Sequence, residues 1–210
     1  MYRRWRSLVG SIVKGFKNHI GTFRRYIKLA GAGEIARRKF FNNAFDGALT
    51  ILGVIVGALL ARDVDPKVIV SAGVGASLAM GISGALGAYM AERAERRRSL
   101  KELENQMFRN LDGTILDKAS KIATLWIAIV DGISPALAAA IPLMPFAMVL
   151  AHIITVESGL IASLTLNLCT LFTLGVLLGR VSHENVWVHG LLMVGAGILT
   201  ALLLLAFVGV

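Results

Sequence analysis

Five long apolar stretches divide the chain, and each is long enough to form a membrane-spanning helix. The predicted spans cover approximately residues 42–61, 67–90, 131–154, 159–180 and 186–207. Roughly 20 helical residues cross the hydrocarbon core of a bilayer, so runs of this length with few charges predict transmembrane helices. The fold class is therefore predicted to be an all-α integral membrane protein with five transmembrane helices. A sixth span is the alternative, and it would reverse the side on which the C-terminus lies.

Two polar segments accompany these spans. Residues 1–41 alternate basic and apolar positions at helical spacing, which is typical of an amphipathic helix on an anionic lipid surface; a disordered basic tail is the alternative. Residues 92–121 are charged and rich in helix formers, so the second helix is predicted to continue out of the bilayer. Ser99 and Glu102 fit a capping box for a fresh helical start there. The predicted domains are residues 1–41, 42–91, 92–121 and 122–210.

Three prolines fall in the stretch that contains the third span. Ser134 and Pro135 form a favourable N-cap and N1 pair for a new helix. Pro142 and Pro145 are expected to interrupt the helix further on, because proline lacks the N–H that a helix needs. Residues 122–131 are then either an interfacial helix or an extension of the third span.

Basic residues cluster in alternate connections between the spans. The net charge is +9, with eleven Lys or Arg before Phe45 and eight more between Ala91 and Ile122. Clustered Lys and Arg mark cytoplasmic loops, so the N-terminus is predicted to be cytoplasmic and the C-terminus outside. Topology accounts for the basicity, and no nucleic-acid partner is expected. The single cysteine, Cys169, leaves no intrachain disulfide to form.

Asp46 is the most informative polar residue, because it opens the first apolar run. A carboxylate within hydrocarbon costs about a few kcal/mol unless it is paired, solvated or protonated, so Asp46 is a candidate ligand for a cation or proton. Thr50 lies one turn after it and Asn42 one turn before it. A helix N-cap is the alternative. Asp131 opens the third span with the same Asp-Gly pair and is likewise interpreted as a ligand or as a helix N-cap. The repeated Asp-Gly pair is a weak indication of a two-helix repeat.

Further candidate ligands lie on the second span and beyond it. Glu92 and Glu95 are three residues apart, with Tyr89 one turn earlier, and carboxylates at this spacing suit a divalent cation. Salt bridges to neighbouring arginines are the alternative. The remaining candidates are Met80 and Ser83 on the predicted pathway, Met90 and Met144 as thioethers, and His152 as a proton relay or a structural histidine. No phosphate loop, HExxH pair, cysteine cluster or nucleophile elbow occurs, so neither an enzyme nor a bound cofactor is predicted.

Three sequence blocks resemble the vacuolar iron transporter family, in the same order. DGALTILGVIVGAL from Asp46 is similar to the family's first span, SGALGAYMAERAER from Ser83 to its second, and ALAAAIPLMPF ending at Phe146 to its third. The resemblance covers about residues 40–208 and implies five spans with a cytoplasmic N-terminus. It also implies transport of divalent metal ions, Fe²⁺ first and Mn²⁺ second, in exchange for protons, a homodimer with the path between its two copies, and Asp46 as a pathway residue. Export from the cytoplasm is the first hypothesis.

Two positions on the second span depart from the family pattern. Gly84 stands where the family has a methionine, and Ala88 where it has a glutamate. The connection after this span is Arg-rich and short, whereas better-known members carry a large Glu-rich metal-binding domain there. The chain therefore resembles a short prokaryotic branch located in the cell membrane. A transporter of another solute, and a non-transporting adaptor that binds partners or anionic lipids, are the alternative functions.

Overall fold

The computed structural model describes residues 21–208, and all regular secondary structure in that part of the chain is helical. Residues 21–29 are helical and are labelled α1. The helices that follow are α2 (Ala32–Leu60), α3 (Pro66–Met107), α4 (Ile115–Leu150), α5 (Val156–Val181) and α6 (Val186–Val208). Each of these five is long and apolar enough to cross a membrane. The predicted all-α membrane fold with five spans is confirmed, while most of the predicted N-terminal amphipathic segment lies outside the described residues.

α3 continues without a break from its apolar part into its charged part. The predicted capping box is wrong, because Ser99 lies inside the helix. Local charge pairs explain the continuity. Glu92 pairs with Arg96 at 3.2 Å, and Arg98 pairs with Glu102 at 3.0 Å. Glu102, the expected partner of Ser99 in the capping box, thus forms an i,i+4 pair within the continuous helix.

α4 is also continuous, and its three prolines lie inside it. The N-cap predicted at Ser134 and Pro135 is wrong, and residues 122–131 extend the helix of the third span. Pro142 and Pro145 do not end the helix either. The Ser163 hydroxyl of α5 donates a hydrogen bond to the main-chain carbonyl of Pro142, and this bond links α5 to the proline-containing part of α4.

The chain divides into two compact units. The first, called here the basic unit, contains the described residues 21–37 and 87–128. The second, called the apolar unit, contains residues 38–86 and 129–208. Residues of α2, α3 and α4 occur in both units.

In the basic unit, α1 and the turn after it contact the charged part of α3 and the N-terminal part of α4. Gly31, with φ +61°, allows the tight turn between α1 and α2, a backbone conformation that favours glycine. Arg96 of α3 donates to the main-chain carbonyl of Ala30 at 3.1 Å. The rings of Phe23 and Trp126 meet edge to face, with centroids 5.4 Å apart.

The apolar unit is packed around α2. One face of α2 contributes four of its fully or almost fully buried side chains, Ala48, Ile51, Leu52 and Ile55. At Gly47 the backbones of α2 and α4 touch, since a Cβ there would lie 2.6 Å from the carbonyl oxygen of Pro135. Small residues permit such approaches between membrane helices. α5 is linked to α2 by a hydrogen bond, because the side-chain amide of the buried Asn167 donates to the main-chain carbonyl of Ala48 at 3.1 Å.

Candidate functional site

Asp46 lies in the middle of α2. Fourteen residues of the helix precede it and fourteen follow it, so about 21 Å of helix extends on each side. Asp131 lies sixteen residues after the start of α4. The helix N-cap interpretation is therefore wrong for both aspartates, because a cap must stand at the first turn. Both carboxylates are inside helices that are long enough to span a bilayer.

A cleft of about 430 Å³, called here the Asp46 cleft, opens within the apolar unit between α2, α3 and α4. Its lining residues are Asn43, Asp46, Ala79, Met80, Ser83, Gly84 and Pro135. The Asp46 and Ser83 side chains are exposed in the single chain, and Met80 is half-buried. A carboxylate, an amide, a hydroxyl and a thioether therefore surround one small space in the apolar part of the protein.

Thr50 connects the Asp46 helix to Met80. Its hydroxyl donates to the main-chain carbonyl of Asp46 at 2.8 Å and lies 3.4 Å from the Met80 sulfur. This bond to the preceding turn is a common one for threonine in helices. The Thr50 hydroxyl thus binds the backbone and not the carboxylate of Asp46. Within residues 21–208, the Asp46 carboxylate forms neither a hydrogen bond nor an ion pair.

Asp131 is buried next to the Asp46 cleft, with 3% of its surface exposed. Pro135 has no N–H to donate to the Asp131 carbonyl four residues earlier, so that oxygen lacks its helical partner. Two side chains replace it, the Ser134 hydroxyl at 2.8 Å and the Asn43 amide nitrogen at 3.3 Å. The carboxylate atom Oδ1 of Asp131 is buried and has no hydrogen-bond partner in residues 21–208. A buried polar atom without a partner is costly, which makes it a candidate ligand or proton site.

Gly84 keeps the space between Asp131 and the Asp46 cleft open. A Cβ at this position would lie 2.9 Å from the Asn43 amide nitrogen and 3.6 Å from Oδ2 of Asp131. A side chain here would therefore push against Asn43 and cover the buried carboxylate. Met80, four residues earlier on the same face of α3, is the thioether that reaches the cleft.

The charged groups near Asp131 leave an excess of negative charge. Lys39 and Asp46 are the two charged side chains of α2 that act electrostatically on Asp131. Two carboxylates with one ammonium group give a net charge of −1 when all three are ionised. The apolar surroundings screen charge weakly, so the site attracts cations when both carboxylates are ionised.

Asn43, and not the predicted Asn42, supplies the amide in the cleft. Asn42 is exposed on another part of the α2 surface. Residues three and four apart both share a helix face, so Asn43 could have been proposed from its distance to Asp46 along the sequence. The main-chain carbonyl of Asp131 could likewise have been proposed as an acceptor without a helical partner, because Pro135 follows it by four residues.

The candidates on the charged part of α3 belong to the basic unit. Glu92 forms the salt bridge with Arg96 that was the alternative to metal binding. The guanidinium carbon of Arg93 lies 5.8 Å from the centre of the Tyr89 ring, and Glu95 is exposed. Within residues 21–208, no three His, Cys, Asp or Glu side chains form a cluster that could hold a metal ion. A metal role for these glutamates stays a prediction.

The remaining candidates have no polar cluster around them in the described part of the chain. Met90 and Met144 are exposed on α3 and α4. His152 lies in the turn that follows α4 and has φ +58°. The Asp46 cleft is therefore the place where the largest number of predicted site residues meet, namely Asp46, Met80 and Ser83, with Thr50 and Asp131 in contact with its lining.

Comparison with known proteins gives matches that cover this cleft. The model of the VIT family matches residues 38–112 and 101–209. An uncharacterized protein of Methanocaldococcus jannaschii is 32% identical over 174 residues, which cover 81% of this chain and 87% of that protein. No solved structure matches the chain. The family match includes the parts of α2, α3 and α4 that line the Asp46 cleft.

Proposed function

The chain belongs to the VIT family, whose members are membrane transporters, and we propose that it carries divalent transition-metal cations, Fe²⁺ or Mn²⁺, across the membrane. The observation that carries this proposal is the Asp46 cleft, in which an unpaired carboxylate lies beside a second, buried carboxylate at Asp131. Intramembrane carboxylates are costly and typically mark ion or proton pathways.

The donor set of the cleft suits a borderline divalent cation. Carboxylate, amide and main-chain oxygen atoms suit Mn²⁺ and other hard cations, whereas a thioether sulfur favours softer ones. The Asp46 cleft offers both kinds, with Met80 as its only thioether. Gly84, where the family pattern has a methionine, is one helical turn from Met80. We infer that Met80 supplies the sulfur that Gly84 cannot.

A second copy of the chain is proposed to complete the path. Asp46 is exposed in the single chain although it lies in the middle of a helix that spans the bilayer. Facing lipid, this carboxylate would be strongly unfavourable. A partner copy over the open side of the Asp46 cleft would replace lipid with protein and water and would bring a second Asp46 to the path. This homodimer rests on the proposed transport function.

Exchange with protons is proposed because the same oxygen atoms can bind either species. The unpartnered Oδ1 of Asp131 would be satisfied by a proton or by a cation, and the two cannot occupy it together. Net transport is proposed to run from the cytoplasm outward, with the N-terminus on the cytoplasmic side of a prokaryotic cell membrane. Protons entering the cell would then drive cations out.

The proposal is tested by reconstituting the purified protein into liposomes that enclose a metal-sensitive dye. Uptake of Fe²⁺, Mn²⁺, Co²⁺ and Zn²⁺ is measured separately, with and without an acidic interior. We expect uptake of Fe²⁺ or Mn²⁺ to exceed that of protein-free liposomes and to increase when the interior is acidic. No flux of any of the four cations would refute metal transport and favour another solute. Metal flux at the same rate with and without the pH gradient would refute proton exchange but not metal transport.

Met80→Leu is expected to change selectivity while the protein stays folded. Leucine has nearly the volume of methionine, so the substitution perturbs packing little. Loss of the sulfur should lower Fe²⁺ flux relative to Mn²⁺ flux by about tenfold, the lower end of what altered ligand surroundings cost a metal site. Both fluxes are measured in the same liposome preparation.

Met144→Leu is the matched control for this substitution. Met144 is on α4 of the same unit, but its side chain is 61% exposed and does not line the Asp46 cleft. Its replacement should leave the ratio of Fe²⁺ to Mn²⁺ flux unchanged. An equal shift in both variants, or no shift for Met80→Leu, would contradict a role for the Met80 sulfur.

A further inference from the structure

A second and larger cavity lies within the basic unit. It has a volume of about 720 Å³ and is called here the basic cavity. Its walls come from the charged part of α3, the connection after it and the first turns of α4. Pockets for small ligands typically measure about 300–1,000 Å³, so this one could hold a compact organic anion or a lipid headgroup.

Three cations form a row along one wall of the basic cavity. Arg93, Arg97 and Lys101 are spaced four residues apart on α3, so they stand above one another on a single helix face. In residues 21–208, no carboxylate lies within ion-pair distance of any of the three. Like charges at this spacing repel each other, and the row has no described counter-ion.

The other arginines of the same helix segment behave differently. Arg96 pairs with Glu92, and Arg98 pairs with Glu102; neither arginine lines the basic cavity. The two carboxylates that form these ion pairs, Glu92 and Glu102, do not line the cavity either. This part of α3 therefore contains carboxylates that form ion pairs with arginines, but they pair with Arg96 and Arg98 and not with the three cations that line the cavity.

Three acidic residues line the basic cavity: Glu104 and Asp117 are engaged by other groups, and the exposed Asp112 forms no ion pair with any of the three cations. Glu104 accepts a hydrogen bond from the backbone N–H of Leu111 at 2.7 Å. Asp117, in the polar first turn of α4, binds Lys121 at 2.8 Å and the N–H of Gly113 at 3.1 Å. The Lys121 ammonium holds the pKa of Asp117 below its usual range, so this pair is internally balanced. The row on α3 keeps its positive charge.

We propose that the basic cavity binds an anion that carries phosphate groups, either the headgroup of an anionic phospholipid or a soluble phosphate compound. Arginine forms two parallel hydrogen bonds with phosphate oxygen atoms, and lysine adds a compact positive charge. Tyr89 also lines the cavity, and the guanidinium group of Arg93 lies over its ring. Leu100 and Leu125 form an apolar part of the wall, which suits the carbon-containing part of an organic phosphate.

The test uses the full chain in nanodiscs and two probes. Inorganic pyrophosphate is titrated into protein in phosphatidylcholine discs and followed by calorimetry, which reports a soluble phosphate ligand. Native mass spectrometry of protein from discs that also contain phosphatidylglycerol reports a bound lipid. The cavity variant combines Arg93→Gln, Arg97→Gln and Lys101→Gln. The control variant combines Arg98→Gln, Arg109→Gln and Lys118→Gln, which removes the same charge from positions outside the cavity.

We expect at least one probe to bind the unmodified protein, with the cavity variant weakened by about tenfold or more, because charge-assisted hydrogen bonds are lost. The control variant should weaken binding by less than about twofold, since exposed charges away from the site are screened. Binding of pyrophosphate identifies a soluble source and binding of phosphatidylglycerol a lipid source. Absence of binding for both probes would overturn the proposal, and so would equal losses in the two variants.

Discussion

Asp46→Asn is expected to reduce metal flux through liposomes by about 100-fold or more while the protein still folds. Asparagine has nearly the same size as aspartate, and the Asp46 carboxylate holds no described side chain in place, so the helix packing should survive. Changing groups that merely support metal ligands already costs about 10–100-fold, and loss of a direct ligand should cost at least the upper part of this range. Initial rates of Fe²⁺ and Mn²⁺ uptake, compared at equal protein content, give the measurement.

Asp63→Asn is the control for this result. Asp63 is exposed in the short connection between α2 and α3, where water can solvate its charge. Removing it changes the net charge by the same amount without altering the Asp46 cleft, so flux should stay within about twofold of the unmodified protein, as for most exposed charges. If Asp46→Asn transports as well as Asp63→Asn, Asp46 is not on the path.

The number of membrane-spanning helices could be predicted from the sequence, because membrane insertion depends on local properties. Each span is a run of apolar residues of sufficient length, and the bilayer imposes helical hydrogen bonding on it. The helix ends could not be predicted equally well. Caps such as Ser99 and prolines such as Pro135 signal a boundary in short sequence windows, yet both lie inside long helices. Ion pairs along α3 and contacts between α4 and its neighbours outweigh those local signals.

Only part of the candidate site could be predicted. Asp46 was identifiable because a carboxylate in an apolar run is unusual by itself. The Asn43 contact to Asp131 joins residues 88 positions apart, and it depends on how closely α2 and α4 approach. Gly84 looked like a missing ligand in the sequence, whereas in the structure its lack of a side chain leaves room for the Asn43 amide. These roles follow from packing between helices, which a single sequence does not contain.

Gly47→Ala is expected to destabilise the apolar unit and to impair transport, although alanine favours a helix more than glycine does. The added Cβ would lie 2.6 Å from the carbonyl oxygen and 2.7 Å from the Cα of Pro135. These are backbone atoms of α4 and cannot rotate away, so the helices must separate. Overpacking of this kind costs about 1–3 kcal/mol, which exceeds the gain in helix propensity of about 0.8–1.0 kcal/mol over most of its range.

Gly33→Ala is the comparison that isolates the contact between α2 and α4. It makes the same substitution near the start of the same helix, away from the face that carries Asp46, and no atom beyond the neighbouring backbone of α2 lies within 4 Å of the new Cβ. Thermal unfolding in detergent should therefore shift downward for Gly47→Ala and upward or not at all for Gly33→Ala. Flux should fall only in Gly47→Ala, because separation of α2 from α4 moves Asn43 away from the Asp131 carbonyl. Equal shifts in the unfolding midpoint would mean that the close approach at Pro135 does not hold the two aspartates together.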